Sequence, residues 1–136
     1  MTTRQDIRIN QGETWSYVYT HRDGAGSAID LTGYSARMAV KASYEDGSIA
    51  YLSTGSDAEG GTIVLGGMLG TVTMSMSADQ TTNLTDANLY GFLPPDKRKK
   101  YERDVSYIYD LELVSGAGVV TRVLEGRCIV HREVTG

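Results

Sequence analysis

Cysteine, proline, histidine and long apolar runs are all scarce in this chain, and each shortage closes off a class of protein. Cys128 is the single cysteine among 136 residues, so no intramolecular disulfide and no cysteine cage for zinc can form. That suits synthesis in a reducing compartment. Only two prolines stand against sixteen glycines, a balance that argues for many tight turns rather than disorder. No stretch approaches the roughly 18 consecutive apolar residues of a spanning helix. The start, Met1-Thr2-Thr3-Arg4-Gln5-Asp6, is polar where a signal peptide is apolar. The expectation is a chain made in the cytoplasm, not secreted and without membrane contact. Basic residues are also in deficit: the net charge is -4 and the pI near 5.1. Nucleic acid is therefore an unlikely general partner, because phosphate binding needs a basic face. Catalytic signatures are missing too, with no G-x-S-x-G elbow, H-E-x-x-H, P-loop or G-x-G-x-x-G before a helix. The expected protein is a binding and assembly domain, not an enzyme, with no cofactor.

What is present is alternation. Val105, Tyr107, Tyr109, Leu111 and Leu113 fall on one side of an extended segment from Asp104 to Val114, with Ser106, Asp110 and Glu112 opposite. Trp15, Tyr17 and Tyr19 share a face in the same way, as do Tyr34, Ala36, Met38 and Val40, and then Val72, Met74 and Met76. Shorter candidates are Ile7 to Asn10, Ile49 to Ser53, Thr62 to Leu65, Val119 to Leu124 and Arg127 to Val134. Glycine-bearing turns separate nearly all of them. Some eight strands in 136 residues, with no long helical pattern, predict an all-β single domain over 1–136. The expected type is an immunoglobulin-like antiparallel β-sandwich, with a small Greek-key barrel as its competitor. Residues 1–6 are a candidate extended arm. Ser77 to Leu84 reads as one helical turn capped by Ser77, and a long loop, about 83–103, follows it.

The candidate chemistry is thin. Cys128 and His131 have the spacing of half a zinc site, but residues three apart on a strand point to opposite faces. His21, beside Arg22 and Asp23, reads as a solvated or hydrogen-bonded histidine. Asp110 and Glu112 share a strand face and form the nearest thing to a carboxylate pair; nothing in sequence marks a pocket there. The strongest local feature is the basic run Lys97-Arg98-Lys99-Lys100 with Arg103, flanked by Phe92, Leu93 and Tyr101. Exposed aromatics beside cations are typical interface anchors, so these eight residues are the candidate protein interface. Nine tyrosines against one phenylalanine suit sheet faces shared between core and partner, since tyrosine keeps a polar tip.

Asp30-Leu31-Thr32-Gly33-Tyr34-Ser35-Ala36-Arg37-Met38-Ala39-Val40, then Tyr109-Asp110-Leu111-Glu112-Leu113, Val120 to Gly126 and Glu133-Val134-Thr135, resemble a group of small tailed-phage virion proteins. The D-L-T-G turn running into an alternating strand is similar to the N-terminal domain of baseplate upper and fibre-adaptor proteins. The resemblance spans about Ile7 to Thr135. It implies a multi-copy subunit of the virion, in a tail or baseplate collar or at a fibre attachment, whose partners are other virion proteins. A capsid decoration protein is the alternative of the same class. A carbohydrate-binding module, stacking sugars on Trp15 or a tyrosine cluster, is the alternative of another class. The 83–103 loop departs from the family pattern, in which a short turn leads into the Tyr-Asp-Leu-Glu-Leu strand.

Overall fold

A computed structural model describes residues 2–45, 47–84 and 104–132. Nine strands and one short helix follow each other in the order β1 (Thr3–Arg4), β2 (Ile7–Asn10), β3 (Trp15–Thr20), β4 (Ser35–Lys41), β5 (Ser48–Ser53), β6 (Thr62–Leu65), β7 (Thr71–Met76), α1 (Ala78–Thr82), β8 (Asp104–Val114) and β9 (Val120–His131), with a 3-10 turn at Gly67–Leu69. Their hydrogen-bonded order is β1-β9-β8-β4-β5-β6-β7-β3, and β2 also pairs with β9. Among the described residues the only strand pairing between β5 and β6 is Ser53 with Thr62. The path therefore divides into two leaves, β2-β9-β8-β4-β5, with the two-residue β1 continuing the β2 edge of β9, and β6-β7-β3, and the chain changes leaf at β2 to β3, β3 to β4, β5 to β6 and β7 to β8. A five-strand leaf holding the last strands, opposed by a smaller one, is the arrangement of an immunoglobulin variable-type sandwich. The expected all-β, immunoglobulin-like sandwich is thus what the chain forms.

The alternation places the core. Met38 and Val40 of β4, Leu52 of β5, Leu111 and Leu113 of β8, and Val72, Met74 and Met76 of β7 are at most 1% exposed and belong to one cluster. Each such side chain removes about 1.5–3 kcal/mol worth of apolar surface from water. Without a disulfide, this packing between leaves is what holds them together. The D-L-T-G turn also has a mechanism. Asp30 Oδ1 accepts from Thr32 N at 2.9 Å and Thr32 Oγ1 at 2.6 Å, Leu31 is buried at 1% exposure, and Gly33 sits at φ 83°, a conformation side chains disfavour. These bonds to Thr32 hold the Asp30 carboxyl below its ordinary pKa.

Three features differ from the sequence expectation. The two candidate strands Val119 to Leu124 and Arg127 to Val134 fall on one twelve-residue strand, β9, Val120–His131, residues 133–134 lying outside the described residues. Its register shifts because Leu124 faces Leu111 while Arg122 faces Glu112. Val123 is thus an extra residue, and a bulge lets Val123 and Leu124 both turn inward, at 0% and 1% exposure. That break in period is what made one strand read as two. Secondly, the sandwich is not wholly antiparallel: β1 and β2 run parallel to β9. Residues 3–4, expected as part of an arm, are seated on the chain's own sheet opposite Leu124 and Glu125. Thirdly, the 83–103 loop begins inside the body. Leu84 is 2% exposed, and Gln11 Nε2 donates to its carbonyl at 3.3 Å. The Ser77 cap is as expected, with a reciprocal Gln80 bond completing a capping box.

Candidate docking surfaces

The outer face of the larger leaf is laced with charge, because the outward positions of β4, β8 and β9 are polar in the alternation. Arg37 Nε lies 2.8 Å from Glu112 Oε1 and Arg122 Nε 3.3 Å from Asp110 Oδ2. At the far end of the same strands Asp104 accepts from Arg8 Nη2 at 3.1 Å and contacts His131 Nδ1 at 2.6 Å. The His131 hydrogen bond, with Arg8 adding its charge, lowers the Asp104 pKa. Asp110 goes the other way: partial burial raises its pKa, against the pull of Arg122. The two carboxylates that shared a face in sequence are therefore tied to separate arginines, Asp110 to Arg122 and Glu112 to Arg37.

Between these pairs lies a depression of about 250 Å³. Ala39 and Ile108 form part of its lining, and its charged lining is Arg4, Lys41, Arg122 and Arg127 against Asp110 and Glu125. Four cations and two carboxylates leave a local excess of +2 on a chain whose net charge is -4. The cations come from β1, β4 and β9, so the site exists only because β1 and β9 pair and β8 joins β9 to β4. Beneath it Tyr109 points inward and donates its hydroxyl to the Gln5 carbonyl. Burial raises the Tyr109 pKa, so the phenol stays protonated and keeps donating.

The opposite leaf is chemically different. Its outer face presents Ser16, Val18, Thr73, Ser75, Val64 and Thr62, all without charge, and Val18 and Val64 are 54% and 63% exposed. Trp15, Tyr17 and Tyr19 lie on the inner side of β3, half-buried and packed against the core. Trp15, the candidate sugar platform, is thus committed largely to the interior. Tyr19 Oη and His21 Nδ1 are 3.1 Å apart, which makes His21 the hydrogen-bonded histidine expected of it; burial lowers its pKa.

The other sequence candidates divide sharply. Cys128 is fully buried, and burial pushes its thiol up to about 12, while His131 turns to the outer face and Asp104. The two diverge as strand geometry requires. Phe92, Leu93, Lys97, Arg98, Lys99, Lys100, Tyr101 and Arg103, the expected interface, lie outside the described residues. The cations the structure does bring together, Arg4, Lys41, Arg122 and Arg127, escaped the sequence reading because they are isolated in the chain. Their only signal was an outward place in alternating strands, which is mute until the strand order is known.

No protein-family model matches the chain, and no curated protein matches it. Among solved structures it is similar to one described as "Crystal structure of ICOS in complex with ICOS-L and an anti ICOS-L VNAR domain", at 15% identity and a TM-score of 0.46, covering 97% of this chain and 56% of that one. This chain thus spans little more than half the length of that structure's chain. The strand order, rather than this likeness, is what makes the fold immunoglobulin-like.

Proposed function

We propose that the chain is a non-enzymatic assembly subunit of a tailed-phage particle, a tail or baseplate collar or fibre-attachment adaptor present in several copies. The observation that carries the assembly part is the cationic depression on the larger leaf. Its positive excess sits on an acidic chain, and its walls belong to four paired strands, β1, β4, β8 and β9. Such a site favours a carboxylate-bearing partner segment over a small substrate. Asp110, the carboxylate within it, is held by Arg122 and serves to orient that arginine. The phage part rests on the D-L-T-G turn and the strands that follow it, which in this fold lead into β4 between β8 and β5 of the larger leaf.

Two measurements test the reading. Particles purified from cells carrying the gene are probed with an antibody against the chain; stoichiometric presence supports a virion subunit and absence ends that idea. Binding of the purified particle lacking this protein is then compared for the native chain and for a double variant, Arg122→Glu with Arg127→Glu. Loss of docking in the variant, with unchanged thermal unfolding, supports the cationic site. Equal docking overturns it.

A further inference from the structure

The open edge of the smaller leaf is β3, and its hydrogen-bonding side can be deduced. His21 N donates to Gly70 O at 2.8 Å and Gly66 N to Thr71 O at 2.9 Å. With the register Trp15 to Met76, Tyr17 to Met74 and Tyr19 to Val72, the odd-numbered residues of β3 spend their backbone groups on β7. The backbone N–H and C=O of Ser16, Val18 and Thr20 then point away from the sheet, and among the described residues nothing bonds them. Unpaired edges are ordinarily blocked by lysine, proline or a bulge. Here the six residues Trp15–Thr20 contain no charge, no proline and no register shift. The aromatic side chains behind them stay half-exposed for want of a neighbour on that side.

We propose that this edge pairs with the same edge of a second copy, antiparallel about a two-fold axis through Val18. In that register Val18 faces its own counterpart, Ser16 faces Thr20 of the second copy, and Tyr17 faces its Tyr19. All three outward-pointing residues of each strand then exchange hydrogen bonds, whereas an axis through Tyr17 would leave Thr20 beyond the paired span of β3. The inner row gains two tyrosine pairs, of the kind that stabilises neighbouring strands. The outer row becomes a continuous uncharged stripe, Val64, Thr73, Val18 and their counterparts. Charge favours a second copy as the occupant. Two chains of net charge -4 repel wherever acidic surfaces meet, and this edge has none to bring together. Past its ends this register sets Glu13 beside the adjacent Arg22 and Asp23 of the second copy, whose charges cancel, so no net like charge is brought together there.

A six-residue edge buries less than the roughly 1,200–2,000 Å² of a standard stable interface, so the dimer should dissociate on dilution, with a dissociation constant on the order of 10 μM or weaker. The inference deepens the assembly reading by naming one of its contacts.

The test is the molar mass of the full chain by sedimentation from about 1 μM to about 1 mM. It is expected to rise from 14.8 kDa towards twice that. Val18→Lys should hold the chain at the monomer mass throughout, while Val64→Lys, on the same face but off the edge, should still dimerise. Oxidation gives the register. Hydrogen-bonded partners across an antiparallel pair lie about 5.5 Å apart at Cα, within disulfide reach, so Val18→Cys should cross-link to a covalent dimer and Ser16→Cys should not. The buried Cys128 stays out of this chemistry. A monomer at the highest concentration, a Val18→Lys variant that dimerises normally, or Ser16→Cys cross-linking as fast as Val18→Cys each overturns the proposal. None of these outcomes bears on presence in particles, which the antibody reads separately.

Discussion

The two outer strands of the sandwich meet the same physical problem and treat it differently. The backbone of β9 is covered along most of its length by β1 and β2 of its own chain, with Ile7 and Ile9 of β2 buried beneath the sheet at 4% and 0% exposure. The backbone of β3 is left open on one side, and its outward side chain Val18 is 54% exposed. A covered edge adds to the stability of the fold; an open one adds little to stability and remains available for pairing. The difference shows that residues of β1 and β2 are structural here, and that the unpaired backbone edge lies on the other leaf.

Truncating a side chain at each edge exposes the contrast most strongly. Ile9→Ala should cost about 2–5 kcal/mol, as deletions of fully buried branched side chains do, whereas Val18→Ala should change stability by no more than about 0.5 kcal/mol. Urea unfolding of the two variants measures both, and comparable losses would break the comparison. Gly126→Ala attacks the covered edge from behind. A Cβ at that position would stand 2.5 Å from the Gln5 carbonyl oxygen and 2.9 Å from its carbon, so the link between β1 and β2 must shift. A loss of about 1–3 kcal/mol is expected, together with faster amide exchange at Gln5, whose N–H bonds Glu125 O at 2.9 Å.

Tyr109→Phe removes the hydroxyl that holds the Gln5 carbonyl and should cost about 1 kcal/mol, again by urea unfolding. The smallest effect is electrostatic. Asp104 has its pKa lowered in the folded state by His131 and Arg8, so its stabilisation is complete above the unfolded value of 3.8 and is lost as pH falls through the lower folded value. Asp110 has its pKa raised by burial, so its ionisation weakens the fold as pH rises from 3.8 through the higher folded value. Thermal unfolding from pH 7 to about pH 2 should therefore show Asp104→Asn less stable than the native chain at neutral pH and equal to it in strong acid. Asp110→Asn should show the opposite slope between the two carboxyl pKa values.

Much of this architecture was legible in the chain. Alternation from Asp104 to Val114, interrupted only by Ile108, marked β8, and Ser77 with an amide residue shortly after it marked the helix cap, because both signals are local. The Val123 bulge was not legible, since an extra residue destroys the very period by which a strand is recognised. The cationic depression was invisible for a different reason: Arg4, Lys41, Arg122 and Arg127 are separated by up to 123 residues of numbering, and sheet pairing alone brings them together. The candidate interface residues between Phe92 and Arg103, which lie outside the described residues, drew attention by clustering in the chain, a property that reports composition and not position in the fold.

By itself, the order of apolar and polar residues determined that this protein is built of strands, which side of each faces inward, and where the turns fall, because side-chain direction in a strand depends only on parity. Only the tertiary structure decided which strands are neighbours. That choice rests on burying Ile7, Ile9 and the core methionines together, contacts between residues far apart in the chain, and it settled which edge was covered and which remained open.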